Sequence, residues 1–251
     1  MNPFFEPGAQ RAAKVQELFA KVAPRYDLLN DLMSFGLHRR WKRRVVSMAA
    51  PQPGQRGLDV CCGTGDIALA LGRLGLEAVG VDFSQPMLEI AGRRCCREEQ
   101  AAARSGRDNL RLFKPPQFLQ GDAQQLPFPD QSFDIVTVGY GLRNLADWRM
   151  GLQQMTRVAR PGGRLLVLDF GKPENRIWRN TYFGYLRLFV PLLGLFVSGS
   201  ASAYSYILES LKHYPAQQGV ASAMEELGLK EVRIVNFFGG VMTINYGRKT
   251  G

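Results

Sequence analysis

Cysteine and histidine are scarce in this chain: 251 residues contain four of the first and two of the second. The cysteines form two adjacent pairs, Cys61-Cys62 and Cys95-Cys96, without the two-residue gap of a zinc knuckle or a redox dithiol. Neither a disulfide framework nor a metal site is therefore expected. Long apolar runs are missing too. The longest, residues 182–197, is interrupted by Arg187 and Pro191, short of the ~20 clean residues that cross a bilayer. The N-terminal residues show no apolar stretch behind a basic start, so a secretory signal is not expected and the protein is placed in the cytoplasm. Acid is short relative to base, 22 Asp+Glu against 32 Lys+Arg, a formal net charge of +10. That excess favours an anionic partner, whether membrane surface, nucleic acid or acidic substrate; a plain basic surface is the alternative.

What is present is ordinary globular material, 45% hydrophobic and 22% charged, which excludes disorder and collagen-like repeats. Residues 10–49 carry a helical period, with Val15, Leu18, Phe19 and Val22 on one face and Tyr26, Leu29, Leu32 and Met33 beyond Pro24. The period then changes. Residues 57–62, 77–81, 118–121, 133–138 and 164–170 are short apolar runs that read as buried strands, and helix-length segments 66–74, 85–103 and 147–159 lie between them. Strand and helix alternate as a parallel, doubly wound sheet requires. Residues 174–215 break that alternation and read as an apolar helical cap; 95–116 is a basic insertion ending in Lys114-Pro115-Pro116. A helix over 216–227 and two strands, 231–237 and 240–248, close the chain as an antiparallel hairpin at the sheet edge. The expectation is one α/β domain over 1–251 with seven strands, an N-terminal helical section (1–50) and the 174–215 cap.

The first strand, Leu58-Asp59-Val60, runs through Cys61-Cys62 into Gly63-Thr64-Gly65 and a helix opening with Asp66. This is where open α/β sheets bind nucleotides. Gly63, Gly65 and Ala68 also satisfy a loose dinucleotide fingerprint, so spacing alone does not choose a cofactor. Charge does: a carboxylate at the helix N-terminus repels a pyrophosphate. S-adenosylmethionine carries instead a sulfonium and an ammonium, which Asp59 and Asp66 favour; the plain alternative for Asp66 is a helix-start acid. Asp82 ends the second strand where a ribose carboxylate belongs. Asp122-Ala123 follows the third strand, and Asp122 either reads the adenine amine or caps its turn.

Four blocks go further: 26–34 with Gly36-Leu37-His38-Arg39, the glycine loop, 126–130 with Gly141-Leu142-Arg143-Asn144, and 160–168, supported by 206–210. Together they resemble the ubiquinone/menaquinone biosynthesis C-methyltransferase family over nearly the whole chain. The resemblance implies a class I S-adenosylmethionine-dependent methyltransferase fold, with a Rossmann-like sheet and a cap that shelters a prenyl tail. It implies C-methylation of a polyprenylated quinol, foremost demethylmenaquinol to menaquinol, with ubiquinone-precursor or phytyl-naphthoquinol methylation as alternatives. The alternatives stay open because Cys61-Cys62 and Gly139 stand where bacterial members more often have Ala-Gly and serine. Cofactor contacts carry over to Asp59, Gly63, Thr64, Gly65, Asp82, Asp122, Ala123 and Gly139. The catalytic positions are Arg143, Asn144 and Tyr26. A lipid-soluble substrate also implies peripheral contact with an anionic membrane.

The chemistry can be built from the substrate. A quinone carbon is electrophilic and cannot attack a sulfonium methyl; a hydroquinone, above all once deprotonated, can. The tasks are positioning, proton removal and exclusion of water. Arg143 is cast as a fixed cation for the developing phenolate, or as the holder of a proton-accepting water, with Asn144 and Tyr26 orienting the ring. Arginine stays protonated and is a poor direct base. His38 is either a base or a helix-surface residue in the run 38–44; His213 is structural, and Trp41 is a packing or interfacial residue rather than a ring-stacking one. A nucleic-acid methyltransferase or RNA module would suit the basic charge, but Gly139-Tyr140-Gly141-Leu142 replaces the Asn-Pro-Pro-Tyr-type tetrad such enzymes carry, and no nucleic-acid partner is expected.

Overall fold

The computed structural model describes residue 23 and residues 26–105, 112–198 and 202–251, without the side chains of 105, 191–198 and 202–207. Expectations for residues 10–22, and for the insertion at 106–111, lie outside the described residues.

Helix α1, Tyr26–Ser34, stops at a Phe35-Gly36 turn where the Gly36 N–H donates to Asp31 O (2.9 Å), a bond that closes a helix end. Helix α2, Leu37–Ala49, follows, with His38, Trp41, Val45, Val46 and Ala49 on its buried face. Strand β1 (Arg56–Val60) leads through the glycine loop to α3 (Asp66–Arg73), then β2 (Glu77–Asp82), α4 (Gln85–Ser105), β3 (Gln117–Gln120) and β4 (Phe133–Gly139). A short 3-10 turn, Leu142–Asn144, precedes α5 (Trp148–Val158), whose start is capped by Asp147 accepting from the N–H groups of Arg149 and Met150. Helix α5 runs straight into β5, Ala159–Phe170, which starts five residues before the apolar run at 164 does. The early segment pairs Ala159 with Phe133 across a bulge.

The seven strands lie in the order β3-β2-β1-β4-β5-β7-β6. The first five are parallel; β7 (Met242–Lys249) is antiparallel to both β5 and β6 (Leu229–Phe237), so β6 alone forms that edge. Buried strands carry the core: Leu58, Phe133, Ile135, Leu165 and Leu166 are fully enclosed, each contributing about 1.5–3 kcal/mol on burial. The strand order reverses between β1 and β4, and the crevice beyond their carboxyl ends is where such sheets bind ligands.

The 174–215 segment is a pair of packed helices, α6 (Arg176–Ser198) and α7 (Ser202–His213). Alternate faces of α6 have different fates. Tyr182, Leu186 and Val190 enter the main core, whereas Leu188 and Phe189 remain 68% and 43% exposed. Helix α6 reaches α1 as well, the Tyr185 hydroxyl donating to Met33 O (3.1 Å). Helix α8, Ala216–Glu226, packs on β6 and completes the fold.

Candidate active site

The crevice is built on the loop after β1. Gly63 and Gly65 both take positive φ, 54° and 84°, for different reasons. A Cβ on Gly63 would meet nothing within 4 Å, so the backbone faces an open cradle; one on Gly65 would press on the Phe118 ring at 2.9 Å, so that glycine serves helix-to-sheet packing. Asp82 holds the loop from the neighbouring strand: its carboxylate accepts from the Gly63 N–H (2.8 Å) and from the Ser84 N–H (2.9 Å). Burial pushes the Asp82 carboxyl up and these donors partly offset the shift.

Three adjoining lobes share Cys61 as a wall. One is lined by Tyr26, Gly63, Asp82, Phe83, Gly139, Tyr140 and Asn144. The second lies over Asp82, Phe83, Gly121, Asp122 and Ala123. The third descends past Thr64 to Lys42, Asp59 and Asp66. Of the residues expected at the site, Tyr26, Asn144, Asp59, Gly63, Thr64, Asp82, Asp122, Ala123 and Gly139 therefore meet in one crevice, with Gly65 behind them. Asp122 fills its capping role too, accepting from the Gln124 N–H at 2.8 Å. The Thr64 hydroxyl is committed to Asp27, at 2.9 Å.

Asp59 lies fully enclosed and accepts from the Thr137 hydroxyl (2.8 Å). Burial pushes its carboxyl up to about 7, with Thr137 and Lys42 opposing. A cationic ligand favours the carboxylate, so affinity for S-adenosylmethionine should rise as pH passes upward through that value. Titration calorimetry between about pH 6 and pH 8 checks this. Asp59→Asn should weaken binding at the upper end and flatten the dependence; an unaltered slope in that variant would assign the titration to another group.

Three expectations need correction. Asp66 does not face the cofactor as a spare negative charge. Lys42 (2.7 Å) and Arg94 (2.5 Å) clamp it; burial alone would raise its pKa, but the two cations outweigh burial and hold the carboxyl well below the usual range. With both cations on it, Asp66 is no uncompensated negative charge at the helix start. His38 is not a helix-surface residue: it is 3% exposed, its Nδ1 lies 2.9 Å from the Ser34 hydroxyl, burial lowers its pKa and favours the neutral ring, and it is not among the residues lining the three lobes. Arg143 is not the open cation expected at the crevice and is not among its lining residues. Its guanidinium forms a buried ion pair with Asp169, donates to Tyr140 O (2.8 Å) and lies 4.7 Å over the Phe170 ring.

Lys42 was the main residue hidden from sequence reasoning, because it stands in a run of arginines. Its spacing was the available signal: four residues after His38 and three before Val45, it falls on the buried side of α2. Phe83 and Cys61 were likewise not singled out as lining residues.

Comparison with known proteins agrees with this geometry. The model of the ubiE/COQ5 methyltransferase family matches residues 8–249. The chain belongs to that family. It is 41% identical over 246 residues to a demethylmenaquinone methyltransferase of Desulfitobacterium hafniense, covering 96% of this chain and 92% of the relative. A ubiquinone/menaquinone biosynthesis C-methyltransferase of Azotobacter vinelandii is 39% identical, covering 97% and 92%. Among solved structures, an S-adenosylmethionine-dependent methyltransferase from Thermotoga maritima superposes with TM-score 0.62 at 19% identity, covering 93% of this chain and 99% of the other. A putative one from Methanococcus maripaludis gives 0.60 at 17% identity, covering 92% and 94%. The fold is that of class I methyltransferases and the chain is an S-adenosylmethionine-dependent enzyme of this family. The open cradle over Gly63, with carboxylates disposed along the crevice, fits that cofactor: Asp82 would hold the ribose diol, Asp122 and Phe83 the adenine, and Asp59 the cationic amino-acid end.

Proposed function

We propose that the enzyme C-methylates a polyprenylated quinol, with demethylmenaquinol converted to menaquinol as the principal reaction and the whole chain acting as one methyltransferase domain. The observation that carries this reading is the two-helix cap, which lays an apolar, aromatic layer (Tyr182, Leu186, Val190, Leu211) on the core beside the 3-10 turn that carries Asn144 into the crevice. An acceptor with an aromatic head and a greasy tail matches such a layer; a polar or nucleic-acid acceptor does not.

S-adenosylmethionine supplies an electrophilic methyl group when bound. The protein's own contribution is placement and dryness. Tyr26 and Asn144 line the crevice and orient the acceptor ring over the cofactor end. The Asn144 amide donates to Tyr140 O (3.0 Å), and Arg143 donates to that same carbonyl, so the buried ion pair fixes the turn that presents Asn144. Arg143 is in this reading a positioning residue. Incubation with labelled S-adenosylmethionine and reduced demethylmenaquinone tests the reaction; ring-methylated product should form from the quinol and none from the quinone. Absence of product from any quinol, or equal product from the quinone, would refute it.

Delivery of such a substrate points to peripheral contact with the cytoplasmic membrane. No helix among the described residues is long and apolar enough to cross one. On α1, the turn after it and α6, which packs on α1, Leu28, Leu32, Phe35, Leu188 and Phe189 are exposed, Phe35 at 80%. Arg40, Arg43 and Arg44 stand exposed on α2. Lys42, which lies between them in the sequence, is turned inward to Asp66 and is not part of that set. Each remaining arginine contributes roughly 1 kcal/mol at an anionic surface. Cosedimentation with anionic vesicles should fall with salt and with Leu188→Glu or Phe189→Glu in folded protein. Equal recovery in the supernatant with and without vesicles at low salt would count against membrane contact.

A further inference from the structure

Arg94 stands in the basic run of α4 and lines none of the three cofactor lobes. Its guanidinium nevertheless gathers three separate parts of the chain. Nη1 donates to the carbonyl and to the hydroxyl of Thr64, each at 3.0 Å, and reaches the Asp27 carboxylate at 3.4 Å. Nη2 donates to Asp66 at 2.5 Å. Asp27 closes the ring by accepting from the Thr64 hydroxyl at 2.9 Å. Only the planar fork of an arginine can meet acceptors spread in this way.

These groups stand on two sides of one thin wall. Tyr26 and Thr64 line the inner lobe that descends to Asp59, Asp27 and Arg94 line an outer cleft of about 370 Å³, and Lys42 and Asp66 line both. Tyr26 is the first residue of α1, and the next residue in the chain, Asp27, ties that helix start to the glycine loop. The other end of α1 is fixed separately, through Met33 O and the Tyr185 hydroxyl (3.1 Å). Two plainer roles explain less. A first-turn acid complements its own helix dipole without any need of Thr64 or Arg94. An ion pair whose side chains are 30% and 38% exposed contributes little to stability. Across the wall of an active site, however, a tie of modest strength governs placement, and a small misplacement of a positioning group is costly in rate.

We infer that Asp27 and Arg94 are positioning residues: with Thr64 they latch the start of α1 to the glycine loop and so hold Tyr26 in place at the crevice. Neither touches the reacting atoms; both act through Tyr26. The inference rests on the quinol reading above and on the part Tyr26 plays in it, and deepens that reading by naming what sets the position of the ring-orienting side chain.

The test compares Arg94→Ala, Arg94→Lys, Asp27→Asn, Tyr26→Ala and the double variant Tyr26→Ala/Arg94→Ala in the full chain. Each is measured for melting temperature, and for KM and kcat with a reduced short-chain demethylmenaquinone at saturating S-adenosylmethionine. Arg94→Ala should melt near the parental temperature while kcat/KM for the quinol falls by about tenfold or more. Arg94→Lys keeps the charge without the fork, and Asp27→Asn keeps an oxygen for the Thr64 hydroxyl, so both should lie between the parent and Arg94→Ala. Because the latch acts through Tyr26, Arg94→Ala should cost little more once Tyr26 is already alanine. The inference is overturned if the two losses add in the double variant, if Arg94→Ala keeps the parental kcat/KM, or if its loss follows a fall in melting temperature that Arg94→Lys does not relieve. A wild-type protein that methylates no quinol, or Tyr26→Ala at the parental rate, defeats the reading above and the latch with it; an impaired Tyr26→Ala with additive losses defeats the latch alone.

Discussion

Replacing Asp82 by alanine should weaken S-adenosylmethionine binding by about 1.5–3 kcal/mol, roughly 10- to 150-fold, without unfolding the protein. Two losses add. The carboxylate that would accept from the ribose diol disappears, and so does the acceptor that ties the Gly63 N–H (2.8 Å) to the end of β2. The second loss loosens the cradle before any ligand arrives, so part of the affinity falls through disorder of the loop. Asp82→Asn separates the two: its amide keeps one accepting oxygen and lies near enough to hold either Gly63 or Ser84, but not both, and it carries no charge. Its affinity should lie between those of the parent and the alanine variant. The pH dependence has a defined sign as well. Burial raises the folded pKa of Asp82, so ionising it opposes folding as pH rises from the ordinary carboxylate range, and Asp82→Ala should remove that part of the slope of stability against pH. Calorimetry on folded Asp82→Ala with undiminished affinity would take Asp82 out of the ribose role.

How much of this was legible in the sequence depends on the range of the interaction. The buried strands were legible because a parallel sheet covered on both faces needs unbroken apolar runs, and residues 57–62, 77–81 and 133–138 are such runs. The turn at Gly63 to Gly65 was legible because left-handed backbone at a strand-to-helix junction selects glycine. The start of β5 at Ala159 was not, since Arg160-Pro161-Gly162-Gly163 reads as a loop and only its pairing with β4 makes it strand. The errors of charge have the same origin. Asp66 looked like a free carboxylate beside the cofactor, but its partners Lys42 and Arg94 are 24 and 28 residues away in sequence. Arg143 looked like a free cation, but Asp169 waits on the next strand, 26 residues on. No local pattern reports a partner at that distance. Nor does helical periodicity say which apolar face of α6 meets the core when apolar residues fall all round it.

Breaking the Arg143–Asp169 pair from one side should be the most damaging single change in the site, because it leaves the other charge buried and uncompensated. The two side chains are 6% and 3% exposed, and loss of one partner of such a pair costs about 3–5 kcal/mol. Arg143→Met keeps most of the apolar volume over Phe170 while removing the charge. Asp169 then has to be buried as a carboxylate or take up a proton. Burial already raises its pKa in the parent, with Arg143 as the main opposing influence, so in the variant it should rise further. The sign follows from proton linkage. A carboxyl whose folded pKa lies above its unfolded value binds protons more tightly when folded, so the variant's stability should fall as pH rises from about 4 toward its elevated folded pKa. The deficit relative to the parent should therefore be greatest near neutral pH and shrink in mild acid, the reverse of ordinary acid denaturation. Arg143→Met/Asp169→Asn removes the stranded charge and should regain a large part of the lost stability at neutral pH with little dependence on pH. Quinol turnover should stay low in both, since neither variant can hold Tyr140 O and the Asn144 turn through the guanidinium. Thermal melts of the three proteins at about pH 5 and pH 8 decide the matter: a deficit in Arg143→Met that is the same at both values, or a double variant no more stable than the single one, would mean that the pair is not the buried electrostatic unit on which the crevice is built.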